Sequence, residues 1–198
     1  QKILSVRQHV RSIMKPKKDN RGTPFTNASG ASTPGIITAE EMKYWTEQSR
    51  ARFAGDVQLL SENGQLQAMV LEILNGDEKV EAQGNVRHFI PRKEMAEEAK
   101  PDTKSQGSAG KPEKDLQSAP VLIKSSQMRY SKAENAVHYS GNVNLTSAEM
   151  EMSAESLDVF LDKDAKQIER ATAKGKVGIH QAGREIKGDR ADYYLVAR

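Results

Sequence analysis

The chain has 198 residues, 36% of them apolar and 29% charged, and a formal net charge of +3. It has no cysteine, which excludes disulfides, thiolate chemistry and Cys-based metal sites. The length suffices for one large domain or two small ones, and the low apolar share points to two-faced elements, to unfolded segments, or to both. The longest strongly apolar run, AMVLEIL at 68–74, is broken by Glu72 and is too short to cross a bilayer, so no transmembrane segment is expected. The sequence opens at Gln1 without the basic, apolar and small-residue sections of a signal peptide, and reads as a mature form or a fragment.

Residues 1–22 carry Lys2, Arg7, Arg11, Lys15, Lys17, Lys18 and Arg21 against one acid, Asp19. This local excess is larger than the net charge of the whole chain, so the remainder is net acidic and the basicity is terminal. Residues 1–14 read as the end of a preceding repeat, because HVRSIMKPKK (9–18) resembles NVRHFIPRK (85–93). A polar loop is expected over 15–35, β repeats over 36–92, and a disordered polar loop over 93–119. This second loop is rich in Lys, Glu, Pro, Gly and Ser and cannot offset an ordering cost of roughly 1 to 2 kcal/mol per residue. Residues 120–198 resume the β repeats, the last of which is truncated.

The repeat is a small residue, two spacers, an apolar residue, a spacer and a second apolar residue. It reads as Ala39/Met42/Tyr44, Ala68/Leu71/Ile73, Ser125/Met128/Tyr130, Ala154/Leu157/Val159 and Ala191/Tyr194/Val196. A Gly-x-Val follows four of these, at Gly55/Val57, Gly84/Val86, Gly141/Val143 and Gly175/Val177. Apolar residues alternate within each half, the two-residue period of a half-buried strand. Turn signals separate the halves at 62–64, 75–78, 132–135 and 162–165. The spacing of 29 residues recurs in both halves of the chain, with a polar loop before each, so a larger unit of two hairpins and a loop is duplicated. The expected fold is therefore all-β, an elongated and open-ended repeat of short antiparallel strand pairs. Stacking would join their apolar faces into one interior. The pattern is compatible with a twisted β-jellyroll or with a β-helix or solenoid.

The segment GNVNLTSAEMEMSAESLDVFLDKDAKQIERATAKGKVGIHQAGREIKGDRADYYL resembles the OstA/LptA-like (organic solvent tolerance protein-like) family of periplasmic lipopolysaccharide-transport proteins. The resemblance lies in Gly-x-Val, in Ala-x-x-Leu-x-Val, in the run Ile168, Ala173, Gly175, Val177, and in Gly188, Asp189, Ala191, Tyr193. It is densest over 125–198 and looser over 38–90. It implies a twisted jellyroll whose interior shields the acyl chains of lipid A. It also implies edge strands that pair with other jellyroll transport components or with a second copy, in a periplasmic location, free or associated with the inner or outer membrane. The two polar loops are additions to a minimal family member.

The lipid-contacting candidates are the alternating apolar residues Met42, Tyr44, Val57, Leu59, Leu71, Ile73, Val86, Met128, Tyr130, Val143, Leu145, Leu157, Val159, Leu161, Val177 and Ile179. The other reading of each is a filler of a solid core. No catalytic residue, metal site or cofactor is expected. His9, His88, His138 and His180 lack a local ligand spacing and read as isolated surface imidazoles. Glu149, Glu151, Glu155, Asp158, Asp162 and Asp164 alternate with apolar residues and read as a solvated strand face rather than a pair that cleaves polysaccharide. GKVG at 175–178 lacks the glycine spacing, the Ser or Thr and the helix of a phosphate loop. Four Phe and one Trp offer no stacking platform, so nucleic acid is not expected as a partner. The basic terminus then reads as lipid-phosphate contact or a solvated loop, and Trp45 as a strand-end packing residue. The functional expectation is non-enzymatic lipopolysaccharide binding and transport, the alternative a ligand-free structural solenoid.

Overall fold

A computed structural model describes residues 2–14, 35–61, 64–76, 78–91, 120–161 and 168–194. They form ten strands: β1 (Ile3–Met14), β2 (Gly35–Trp45), β3 (Arg50–Ser61), β4 (Gly64–Leu74), β5 (Lys79–Ile90), β6 (Val121–Ser131), β7 (Ala136–Thr146), β8 (Met150–Leu161), β9 (Ile168–Gln181) and β10 (Arg184–Tyr194). All lie in one antiparallel sheet in chain order, which leaves β1 and β10 as its two edges. The expected open-ended all-β repeat is the observed architecture. The loops expected at 15–35 and 93–119 lie outside the described residues, except that Gly35 already belongs to β2 and pairs with Met14. The strands that flank these segments are paired directly, Met14 with Gly35 and Ile90 with Val121.

The strands are 11 to 14 residues long, and the Gly-x-Val signature lies in the middle of one rather than at the start of the second strand of a pair. The reason is a bulge. Every odd strand holds two successive residues of positive φ, at Gln8-His9, Gly55-Asp56, Gly84-Asn85, Gly141-Asn142 and Gly175-Lys176. The register slips there against each strand paired with it. Each bulge inserts a residue and bends its strand. Aligned across the sheet, the five bulges form a crease that divides it into a loop-side half, which holds Met14, Gly35, Ile90 and Val121, and a hairpin-side half, where turns such as 132–135 lie.

The small residue of the repeat sits on this crease. Val10 pairs with Ala39, Val57 with Ala68, Val86 with Ser125, Val143 with Ala154 and Val177 with Gly188. A valine just past each bulge meets a side chain short enough to let the two halves approach. In β10 this corrects the repeat alignment. The equivalent of Ala154/Leu157/Val159 is Gly188/Ala191/Tyr193, three residues earlier than Ala191/Tyr194/Val196, whose Val196 lies outside the described residues. Tyr194 pairs instead with Arg170, on the outer face.

Folding at the crease brings the two inner faces together into a single buried cluster that runs from Val10 to Val177. Tyr130, Tyr139, Phe53, Leu59, Leu66, Leu71, Met128 and Leu157 are among its largest fully buried members. Burying a side chain of this size is worth about 1.5 to 3 kcal/mol, so the cluster as a whole, rather than any hairpin, stabilises the stack.

The crease yields a direct test. Gly141 and Gly183 have nearly equal positive φ, 79° and 76°, but a Cβ on Gly141 would lie 2.7 Å from the Ser126 Cβ and Oγ, whereas one on Gly183 meets nothing within 4 Å. Backbone strain is thus matched, at about 1 to 2 kcal/mol. Urea denaturation of the Gly141→Ala and Gly183→Ala variants should show the former less stable by a further ~1 kcal/mol or more; equal losses would mean that the crease is not tightly packed.

Candidate functional site

The inner face of the hairpin-side half presents one row of side chains in register across all ten strands: Val6, Met42, Phe53, Leu71, Ala82, Met128, Tyr139, Leu157, Ala173 and Ala191. Beside it run Leu4, Tyr44, Ala51, Ile73, Val80, Tyr130, Val137, Val159, Ala171 and Tyr193. The loop-side half answers with Ile37, Leu59, Leu66, His88, Ile123, Leu145, Met152, Ile179 and Ile186. An apolar seam therefore extends through the molecule from one sheet edge to the other.

All sixteen residues singled out in the sequence belong to this interior or its margins. Val57, Leu59, Leu71, Ile73, Val86, Met128, Tyr130, Val143, Leu157, Val159 and Val177 are buried, while Met42, Tyr44, Leu145, Leu161 and Ile179 are half-buried. Sequence reasoning passed over Phe53, Leu66, Tyr139 and Met152, which carry the same two-residue alternation on the partner strands. The seam is filled in the middle and open at the ends. Leu4 and Val6 at one edge, and Ile186 and Tyr193 at the other, are exposed because their strands have a neighbour on one side only.

The histidine reading requires a correction. His88 is not a surface imidazole: it occupies an inward position on β5, and its Nδ1 lies 2.6 Å from the Tyr139 hydroxyl of β7. Isolated spacing in sequence hid it, because the alternation Val80, Ala82, Val86, His88 places it on the apolar face. Its contact skips β6 and joins the loop-side half to the hairpin-side half. Burial pushes the imidazole pKa down to about 4, so it is neutral, and pushes the Tyr139 phenol up. His138 also differs from an isolated imidazole. It hydrogen-bonds Asp158 on the outer face, where Lys174 Nζ donates to the same carboxylate at 3.0 Å.

The outer face is a charge ladder. Arg50 Nη2 lies 2.7 Å from Glu72 Oε2, with Arg52 on the same carboxylate at 3.3 Å, and Arg190 Nε donates to Asp192 at 2.7 Å. Partial burial pushes the Asp158 carboxyl up, but the hydrogen bonds from His138 and Lys174 outweigh it and hold the net pKa below the ordinary value. Glu149, Glu151 and Glu155 are exposed, as a solvated strand face requires, whereas Asp162 and Asp164 lie outside the described residues. At the end of β2, Trp45 is capped by the Arg50 guanidinium, 4.9 Å above its ring. Among the described residues no group of three or more His, Asp or Glu converges as a metal site, and no helix is long and apolar enough to cross a membrane.

The buried histidine sets a pH dependence. A base whose folded pKa lies below its unfolded value of 6.5 favours the unfolded state once that state takes up the proton, so stability falls as pH drops from about 6.5 to about 4. Denaturant melts across this window should show the His88→Gln variant free of a decline of roughly 3 kcal/mol that the parent protein undergoes; parallel pH profiles would mean that His88 is solvated.

Comparison with known proteins agrees with this geometry. The family model described as LptA/(LptD N-terminal domain) LPS transport protein matches residues 122–198, which comprise β6 to β10. No curated protein matches the chain. Among solved structures, the fold is shared with LptH of Pseudomonas aeruginosa, described as the LptA homologous periplasmic component of the conserved lipopolysaccharide transport device. The identity is 14%, with 72% of this chain and 83% of that chain covered and a TM-score of 0.50. Strands β1 to β5 of this chain continue the same creased sheet beyond the matched segment, and over residues 122–198 the chain is similar to the LptA/LptD N-terminal-domain family of lipopolysaccharide-transport proteins.

Proposed function

We propose that the chain is a non-enzymatic lipopolysaccharide-binding module that carries lipid A between membranes in the periplasm. The observation that supports this reading is the apolar seam that runs edge to edge inside a sheet whose outer face is charged. A long acyl chain needs continuous aliphatic and Met contacts, each buried methylene contributing about 0.8 kcal/mol, and no catalytic group. The half-buried members Met42, Tyr44, Leu145, Leu161 and Ile179 are the points of first contact, since they adjoin open space. The deeper residues, Val143 and Leu157 among them, take up acyl chains as the two halves part along the crease. The sugars remain in water against the outer ladder.

The exposed edges suggest how the module is used. Strands β1 and β10 each present one unpaired row of backbone donors and acceptors, and a strand added there would continue the sheet and the seam together. Other jellyroll transport components, or a second copy, are the partners this arrangement fits. The domain boundaries follow the same logic, with one jellyroll built from residues 1–14, 36–92 and 120–198 and the segments between them as accessories. A ligand-free solenoid is the less favoured reading, because it gives no account of the family match.

Photocrosslinking distinguishes the two. With a photoreactive residue placed in turn at Met42, Ile179, Leu157 and Val143 on the inner face, and at Asp158 and Asn144 on the outer, purified lipopolysaccharide should give adducts at inner positions alone. Adducts at outer positions only, or none in folded protein, would favour the solenoid.

A further inference from the structure

Among the described residues, and apart from Met69 on β4, the large apolar exposure that neither the seam nor the edges account for lies along one line. On the outer face of the loop-side half, Ile13, Ile36 and Leu60 stand in register on β1, β2 and β3. After Gln65 on β4, the row continues through Phe89 on β5 and Leu122 on β6. Ile13, Leu60 and Phe89 are 55%, 55% and 42% exposed. This is the last outward row before the strands end, so it forms a rim. At the ~4.8 Å strand spacing, six strands carry it over about 24 Å.

The next outward row lies two residues further in along each strand. It reads Arg11, Thr38, Gln58, Gln67, Arg87 and Lys124, in register over the same six strands. It has three exposed cations and no acid. Two residues of strand correspond to about 7 Å. The rim thus has an apolar lip with a cationic shelf about 7 Å above it. Beyond β6 the pattern stops, since the rim row passes through Thr146, Glu151, His180 and Glu185.

We propose that this rim is a membrane-docking surface that seats the loop-side edge of β1–β6 on an anionic phospholipid bilayer. Interfacial elements bury their apolar side about 5 to 10 Å into the boundary between headgroups and acyl chains, while cations stay level with the phosphates. The separation of the two rows matches that depth. A protein partner would be served by an apolar patch with a polar rim on all sides, whereas this one is bounded by cations on the side facing the body of the sheet and by strand ends on the other. Docking here leaves the seam and both sheet edges accessible, so it is independent of lipopolysaccharide binding.

The test is flotation of the full chain with phosphatidylcholine vesicles with and without phosphatidylglycerol, in the absence of lipopolysaccharide. The protein should float with the anionic vesicles. The Leu60→Ser/Phe89→Ser variant should lower partitioning by about tenfold or more. The Arg87→Gln/Lys124→Gln variant should lose the preference for anionic vesicles, a change of about tenfold. Unchanged thermal melts of both variants would establish that the fold is intact. No flotation of the parent protein, or flotation unaffected by either variant, would overturn the proposal. Concentration-dependent self-association abolished by Leu60→Ser/Phe89→Ser, without vesicle binding, would assign the rim to a second copy instead.

Discussion

The structure depends on a pair of left-handed residues repeated in every second strand. A flat ten-stranded sheet with one apolar face has nothing to bury that face against. The bulges at Gly55-Asp56, Gly84-Asn85, Gly141-Asn142 and Gly175-Lys176, with Gln8-His9 in the first strand, supply a common crease, and the sheet closes on itself. Glycine leads four of the five pairs because a neighbouring side chain, such as Ser126 over Gly141, lies where a Cβ would stand. The valines that follow the bulges meet small residues across the crease, and this large-to-small match sets how closely the halves approach. Core, seam and open edges all follow from that one local geometry.

A sheet folded in this way has an inside without having ends. Each strand contributes the same inward pattern, so among the described residues the seam has no closing layer, and its terminal residues Leu4, Val6, Ile186 and Tyr193 are exposed. Such an interior can be lengthened by adding strands and entered where the halves separate. The His88–Tyr139 hydrogen bond ties the halves together at mid-length. The charged outer face, with its Arg50–Glu72 and Lys174–Asp158 pairs, contributes little to stability at these exposures and chiefly keeps that surface in water.

The sequence disclosed the all-β class, the strand period and the duplicated unit because each rests on local alternation that recurs several times. The sixteen inward residues were legible for the same reason. What local pattern could not convey was the meaning of Gly-x-Val. It marks a mid-strand bend, and the positive φ at Asp56 or Asn142 depends on the two flanking strands. The fifth repeat was read three residues late because Ala191 and Gly188 are both small, and only the pairing of Gly188 with Val177 separates them. His88 was assigned to the surface because histidine is usually exposed, although its place in the alternation was already visible. The outer rim at Ile13, Leu60 and Phe89 was hidden too, as its members are far apart in the chain and meet only through register.

The central claim is that the apolar seam, rather than any outer-face site, holds the ligand. Isothermal titration calorimetry with intact lipopolysaccharide, set against the same molecule stripped of its acyl chains, tests it most directly. The account predicts saturable binding with a negative heat-capacity change for the acylated form, the mark of apolar burial, and no binding for the sugar alone. Equal affinity for the two would contradict it and move recognition to the charged outer face.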